Sequence, residues 1–426
     1  MGSGGREHAI CWALLNTSTR PLQVFCAPGN AGIGSCAQLV SCSADDQGML
    51  IDFATSEGID LTFIGPEAPL AAGVVDAFEA ANLNIVGPTS AASRLEGSKV
   101  FAKDFMARHQ IPTAAYHVAE SATQAIDVIR GGELDSNDDH IVIKADGLAA
   151  GKGVVVASSR VEAEKAVEDL MVKHVAGLAA AQQVVIEEAL NGKEVSLLLF
   201  SDGRDYVLMP PARDHKRIGE GDLGPNTGGM GSITDPSILE AANLEKIIGR
   251  IVEPTIEGAR REGFPFRGVL FLGLMLTAEG PKLLEYNVRF GDPETQAILV
   301  RLETDLASIL QAINDGELRN LKVEWKTGAS ACVVAANRGY PGKYESGRAI
   351  QGLDIAAAQP GVRIFHAGTA LSDDGSVIAT GGRVLGVTAA GGNLDTALDL
   401  CYSALDKIHW EGMQFRRDIG RVATAG

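Results

Sequence analysis

Residues 282–294 read KLLEYNVRFGDPE and set Glu285, Asn287 and Arg289 at every second position. Leu283, Leu284, Tyr286 and Val288 are apolar or aromatic, and Gly291 with Pro293 ends the run, which is the pattern of a strand. Side chains alternate faces along a strand, so the carboxylate, the carboxamide and the guanidinium point the same way. A carboxylate beside a carboxamide offers hard oxygen donors, suited to a Mg²⁺ that keeps phosphate oxygens among its ligands. Arg289, one step on, could hold a phosphoryl oxygen from the same side. A solvated strand face has the same pattern. The stretch therefore indicates a phosphate site only if the rest of the chain supplies the other parts.

Those parts are present. Residues 140–144 form a strand that delivers Lys144 to the loop ADGLAAGKG at 145–153, and a second strand, 154–157, follows at once. Gly147, Gly151, Lys152 and Gly153 approach a P-loop, but three residues rather than four separate the first two glycines, Gly replaces Ser/Thr after the lysine, and no helix follows. The spacing predicts a glycine-rich hairpin flap laid over phosphates, with Lys144 beneath as a point charge. Lys99 and Lys103 lie one turn apart on a helix expected over 95–109. A strand at 182–187 runs into Glu187, Glu188, Ala189 and Leu190, then Asn191-Gly192 reads as a tight hairpin turn before a return strand, 194–200. Backbone groups at 187–190 could read an adenine, with Glu194 available to ribose hydroxyls. Residues 212–217 are basic, and 221–231 are rich in glycines whose N–H groups can face an anion; this mixture is that of a functional loop.

At 426 residues the chain accommodates two to four domains with ample core. Hydrophobic content of 46% with 5% aromatics fits a soluble α/β protein, and 50 glycines imply many close backbone approaches. A net charge of -17 argues against a nucleic-acid binder but not against small anionic substrates. The six cysteines show no metal spacing and read as reduced thiols of a cytoplasmic enzyme. No run is long and apolar enough to span a membrane, and no signal peptide is evident.

Residues 1 to about 95 alternate strands (22–27, 61–64, 85–86) with helices (6–15, 46–57, 73–81), hence a parallel sheet whose Gly/Pro-rich strand ends face a ligand. The opening GSGGRE resembles a phosphate turn, but it lacks the third glycine of the dinucleotide fingerprint and no strand precedes it; anion binding at a helix N-terminus, aided by Arg6, is what it retains. Further on, 161–173, 239–263 and 295–315 read as helices, and 268–277 with 282–288 as antiparallel strands. From about 323 short strands and one helix, 393–408, give a small α+β unit with few catalytic types, in which His366 reads as a lone structural residue.

Taken together, GGREH, APGNAG, GPEAPL, EGSK, IKADGLAAGKG, DHKR, GPNTGGMG and EYNVRFGDPETQ occur in an order that resembles the glycinamide ribonucleotide synthetases of the ATP-grasp superfamily, through essentially the whole chain. The resemblance implies an N-terminal parallel-sheet, Rossmann-like domain (1–95), a two-part ATP-grasp domain (96–322, with a lid at 113–190) and a C-terminal α+β domain (323–426). It implies ligation of glycine to 5-phospho-β-D-ribosylamine with ATP, through a glycyl phosphate, in purine synthesis. Another ATP-grasp carboxylate–amine ligase with a different acceptor is the competing reading. Carried over by motif, Lys99, Lys144, Gly147, Gly151, Lys152, Gly153, Glu187, Glu188, Leu190 and Glu194 would bind ATP, and Glu285 with Asn287 would hold Mg²⁺ or Mn²⁺. Arg289, Lys144 and Asp214 would be catalytic. Gly4, Gly5, Arg6, Gly29, Asn30, Glu67, Asp214, Lys216 and Gly229 would face the acceptor and glycine. The expected partners are these small molecules alone, with no nucleic acid or membrane, and the expected state is a monomer. Three departures stand out. The apolar strand expected before GGREH is absent, which points to a start placed too late or to a sheet without its central strand. No Phe-Gly pair stands in 173–183, and 231–234 lacks an aromatic continuation.

Overall fold

The computed structural model describes all residues except 133, 135–139, 149–152, 176, 178, 179, 181 and 422–426. Gly151 and Lys152 of the expected flap therefore lie outside the described residues.

The body is organised on a ten-stranded sheet. Its edge strand is Gly280–Asn287, followed inward by Arg267–Thr277, Lys193–Asp202, Ala212–Asp214, Gly231–Thr234, Ala329–Asn337, Arg383–Gly391 and Val362–His366. Strand 193–202 is buried on both faces. Val195, Leu197 and Leu199 enter one apolar cluster, while Leu198 and Phe200 enter another. That two-sided burial is why its sequence is an unbroken apolar run rather than an alternation. The sheet passes without a break across the position near 323 where the composition changes.

The lid is a four-stranded antiparallel sheet in the order Tyr116–Ala119, Val184–Glu188, Ile141–Ala145, Val154–Ala157. Helices Ala122–Gly131 and Arg160–Val167 back it, and it has its own core around Ile129, Ile143, Val167 and Ile186. Strands 184–188 and 193–202 belong to different sheets, so Asn191-Gly192 is not the hairpin its dipeptide suggests. The turn is where the chain leaves the lid for the body. A Cβ at Gly192 would come 2.3 Å from the Leu276 carbonyl oxygen, so glycine is demanded by a close crossing and not by hairpin geometry. The helix expected over 95–109 is two helices, Ser90–Gly97 and Lys99–Arg108, broken at an extended Ser98 that caps the second. The helix expected over 239–263 runs from 241 to 261 with a π-helical turn at 248–252, whereas the one expected over 295–315 is interrupted between 299 and 306.

In the N-terminal region the pairs Phe25–Cys26/Gln38–Leu39 and Thr62–Phe63/Ile85–Val86 are parallel. Between them lies the start of the chain. Gly2 N–H donates to the Ala27 carbonyl at 2.7 Å, and the Met1 ammonium donates to the Phe63 carbonyl at 2.8 Å. Met1 and Gly2 therefore lie between the two pairs, at the position expected for the central strand. Back along the same line, toward Pro21 and Gly58, a slot of about 530 Å³ separates the flanking strands, walled by Leu14, Phe53, Phe78 and Leu310.

His366 is not lone. Its backbone N–H donates to His8 Nδ1 at 2.8 Å, and its carbonyl accepts from Asn30 at 2.7 Å. The GGREH helix and the 28–32 loop are thereby tied to the C-terminal region.

Candidate functional site

The lid sheet faces the edge strand 280–287, and a cavity of about 490 Å³ lies between them. The register of the edge strand against 267–277 shifts between Gly273 (opposite Glu285) and Leu274 (opposite Leu283), leaving Leu284 as a bulge. Beyond the bulge Glu285, Asn287 and Arg289 all line the cavity, as the alternation required. The bulge also frees the Leu284 carbonyl, which accepts from Lys144 Nζ at 3.2 Å. Lys144, on the lid, and Glu285, on the body, are thus on facing walls of one cleft.

Each cation in the cleft is held by a defined partner. Lys144 Nζ lies 2.9 Å from Glu187 Oε1, and Lys103 Nζ 2.9 Å from Glu187 Oε2, making a buried Lys–Glu–Lys triad. Burial lowers the Lys103 ammonium to a pKa of about 8 against the pull of Glu187. Lys99 Nζ donates to the Gly147 carbonyl at 2.9 Å, and the Val100 N–H donates to Asp146 at 3.1 Å, so the second helix docks on the base of the flap. Residues 141–145 and 154–157 pair antiparallel, so the loop between them is a hairpin, not a strand-to-helix P-loop. Burial opposes the charge on Glu285, yet Lys216, Lys144 and Lys99 outweigh it and hold its pKa below the ordinary value. The carboxylate is therefore ionised, as a cation ligand must be.

Arg289 is gripped from two sides. Its Nη2 donates to Glu96 Oε1 at 2.8 Å, and its Nε to Glu67 Oε2 at 3.2 Å. Glu96 Oε2 also accepts the Val288 N–H at 2.7 Å, so one side chain fixes both the end of strand 280–287 and the arginine that follows it.

Arg6, Glu67, Lys99, Lys144, Gly147, Gly153, Glu187, Asp214, Lys216, Glu285, Asn287 and Arg289 of the expected set line the cavity. Glu188 is not among its walls; it accepts from Ala115 N–H at 2.9 Å and from Lys282 at 3.3 Å, joining lid to body. Leu190 is outside the walls too, and Glu194 reaches them only through Lys216, 2.9 Å away. Gly4 N–H donates to Glu7 at 2.6 Å, and a Cβ at Gly5 would crowd Gln296, so both glycines shape the helix start behind the wall. Gly29 and Asn30 sit in a loop pinned to Ser3 and His366 by the Asn30 amide. Gly229, φ +108°, passes between Asp214 and Pro293 at the rim.

Sequence reasoning missed Arg383 and Tyr340, which enter the cleft from the C-terminal third. It also gave no role to Glu96, although the EGSK motif contains it. Arg383 follows Gly381-Gly382, and that glycine pair before a lone arginine is the only local signal.

Family models describe three consecutive parts of the chain: the phosphoribosylglycinamide synthetase N domain over 1–96, its ATP-grasp (A) domain over 97–295 and its C domain over 330–422. Phosphoribosylamine–glycine ligase of Agrobacterium fabrum is 47% identical over 427 residues, covering 100% of this chain and 98% of the relative. That of Rhodopirellula baltica is 47% identical over 425 residues, covering 99% and 97%. The crystal structure of phosphoribosylamine–glycine ligase from Thermotoga maritima superposes with a TM-score of 0.84 at 35% identity, covering 98% of each chain. Biotin carboxylase from Campylobacter jejuni, at 15% identity and a TM-score of 0.72 over 99% and 93%, shares the fold. With the lid lysine and the acid–amide strand facing each other across one cleft, and with this likeness running end to end, the chain belongs to the phosphoribosylamine–glycine ligase family, the ATP-grasp enzymes that make glycinamide ribonucleotide in purine biosynthesis.

Proposed function

We propose that the cleft binds ATP under the 147–153 flap and transfers its terminal phosphoryl group to the carboxylate of glycine. The glycyl phosphate then loses phosphate as the amine of phosphoribosylamine attacks its carbonyl carbon. Lys144, on the lid, and Lys99, on the helix docked against the flap base, neutralise the phosphates, while Glu187, which lines the cleft, meets the adenine. Arg289 steadies the phosphoryl group in transit, because a guanidinium fork matches the oxygens that carry its charge. Asp214 and Lys216 stand at the amino-acid and acceptor end with Arg6 and Glu67.

Glu285 and Asn287 fit a Mg²⁺ or Mn²⁺ ion: both donors are hard oxygens, and Glu285 is kept ionised by its neighbours. The ion supplies charge neutralisation at the nucleotide phosphates. Among the described residues no group of three or more acidic, His or Cys side chains could hold a metal. Glu285 and Asn287 would hold the ion together with nucleotide phosphate oxygens and water.

The observation that carries this reading is the contact of Lys144 Nζ with the Leu284 carbonyl, which sets the lid lysine beside the acid–amide pair. A coupled ADP-release assay with each substrate omitted in turn tests it. Release must require ATP, glycine and phosphoribosylamine together. Release with glycine and another amine, but not phosphoribosylamine, points to the competing ligase. We further take the domains as 1–95, 96–322 and 323–426, the protein as a monomer and its compartment as the cytoplasm. All six cysteines are free thiols, and no helix among the described residues is long and apolar enough to cross a membrane.

A further inference from the structure

The far wall of the cleft is built by a part of the chain that carries none of the ATP-site motifs. Arg383, at the start of the strand Arg383–Gly391, extends its guanidinium between two loops. Nη1 donates to the Gly228 carbonyl and, at 2.7 Å, to the Asp292 carbonyl; Nη2 lies 3.2 Å from Asp292 Oδ2. Tyr340 completes the grip, its hydroxyl oxygen accepting the Gly228 N–H at 2.9 Å. Tyr340 is itself seated on Gly382, where a Cβ would come 2.3 Å from the ring. So Gly228 is held at both its N–H and its C=O by two side chains from the C-terminal third.

The held loop cannot settle elsewhere without changing the cavity. A Cβ at Gly229 would lie 2.7 Å from Asp214 Oδ1 and 2.5 Å from Pro293 Cδ, so the backbone runs directly over Asp214. Thr227, Gly228, Asp214 and Asp292 all line the cleft. Lys144 stands on the lid, across the cleft, and among the described residues Arg383 makes no ion pair with a residue of the lid. A lysine could carry the charge but not the fork: one ammonium cannot serve the Gly228 carbonyl and both the backbone and side chain of Asp292 in fixed directions.

We propose that Arg383, assisted by Tyr340, is a positioning residue that fixes the 227–229 loop over Asp214 and so sets the fit of the amino-acid and acceptor substrates, not of ATP. This rests on the assignment of the Asp214 end of the cleft to those substrates. Arg383→Lys and Tyr340→Phe test it in the full-length enzyme, by initial rates with each of the three substrates varied in turn and by thermal unfolding. The expected result is a rise of about tenfold or more in KM for glycine, phosphoribosylamine or both in Arg383→Lys, with a smaller rise in Tyr340→Phe. KM for ATP stays within about twofold and the unfolding midpoint is unchanged. Equal rises in all three KM values with a lowered midpoint, or no change in any of them in both variants, overturn the inference. Wild-type enzyme assayed alongside separates the two levels: if it shows no glycine-dependent ADP release the ligase reading fails, whereas a normal wild type beside unaffected variants removes only the role of Arg383.

Discussion

Lys103 and Lys144 hold the two oxygens of Glu187 at 2.9 Å each, in the wall of the cleft. Glu187 is 1% exposed, so its charge is compensated by these two ammonium groups in a setting where water contributes little. Replacing Lys103 by Met should therefore destabilise the lid by about 1–3 kcal/mol, the range for leaving one oxygen of a buried acceptor unpaired. Denaturant unfolding of the single variants and of Lys103→Met/Glu187→Gln measures this. A coupling between the two sites well above about 0.5 kcal/mol is expected, and additive losses would show that the triad does not act as a unit.

Lys144→Ala and Asn287→Ala should each lower kcat on the order of 10²-fold or more, since phosphoryl transfer depends on placed charge rather than on covalent chemistry. Both should remain folded by circular dichroism. A normal kcat in either would remove that residue from the machinery described above.

Metal binding should depend on nucleotide. With one carboxylate and one amide available, Mn²⁺ alone should bind weakly, and adding ADP should tighten it by at least tenfold. Electron paramagnetic resonance titration of free Mn²⁺ reads this directly, and Glu285→Gln should abolish the nucleotide-dependent gain.

Acid should unlock the contact between the first helix and the C-terminal region. Burial and then the charge of His366 lower the pKa of His8 to about 3, and burial lowers that of His366 to about 4, from 6.5. Between about pH 4 and 6.5 both stay neutral in the folded state, whereas the unfolded chain takes up protons there. Stability from this pair is thus complete above pH 6.5 and is lost as pH falls toward 4, by up to about 1.4 kcal/mol per pH unit for each histidine. Protonation would also remove the acceptor that His8 Nδ1 offers to the His366 N–H. Unfolding free energies at pH 7, 6 and 5 should show this slope, and His8→Asn should flatten it.

What was legible in the sequence was whatever local pattern controls. The alternation through 285, 287 and 289 gave the side chains that face the cleft, and the glycine spacing with a following strand gave a hairpin rather than a P-loop. What escaped was decided at long range. Asn191-Gly192 has hairpin chemistry, but the strand it would turn back against lies in another sheet. Ser98 splits an apparently continuous helix because Asp146, on the base of the flap, is there to take the Val100 N–H. Arg383 carries no motif; its role comes from an approach across 91 residues to the Asp292 carbonyl.

The unbroken hydrogen-bonded ladder from 280 to 391 has a consequence for how the enzyme can breathe. Strand 280–287 and strand 383–391 belong to one ten-stranded lattice, whereas the lid has a core of its own and meets that lattice through side-chain bonds such as Lys144 to the Leu284 carbonyl and Lys282 to Glu188 and through the Asn191-Gly192 crossing. Opening of the cleft between lid and sheet is then expected to move the lid as a unit against strands that stay together. In amide hydrogen exchange the last third of the chain should open together with the strand bearing Glu285, while residues 116–188 exchange on a faster clock.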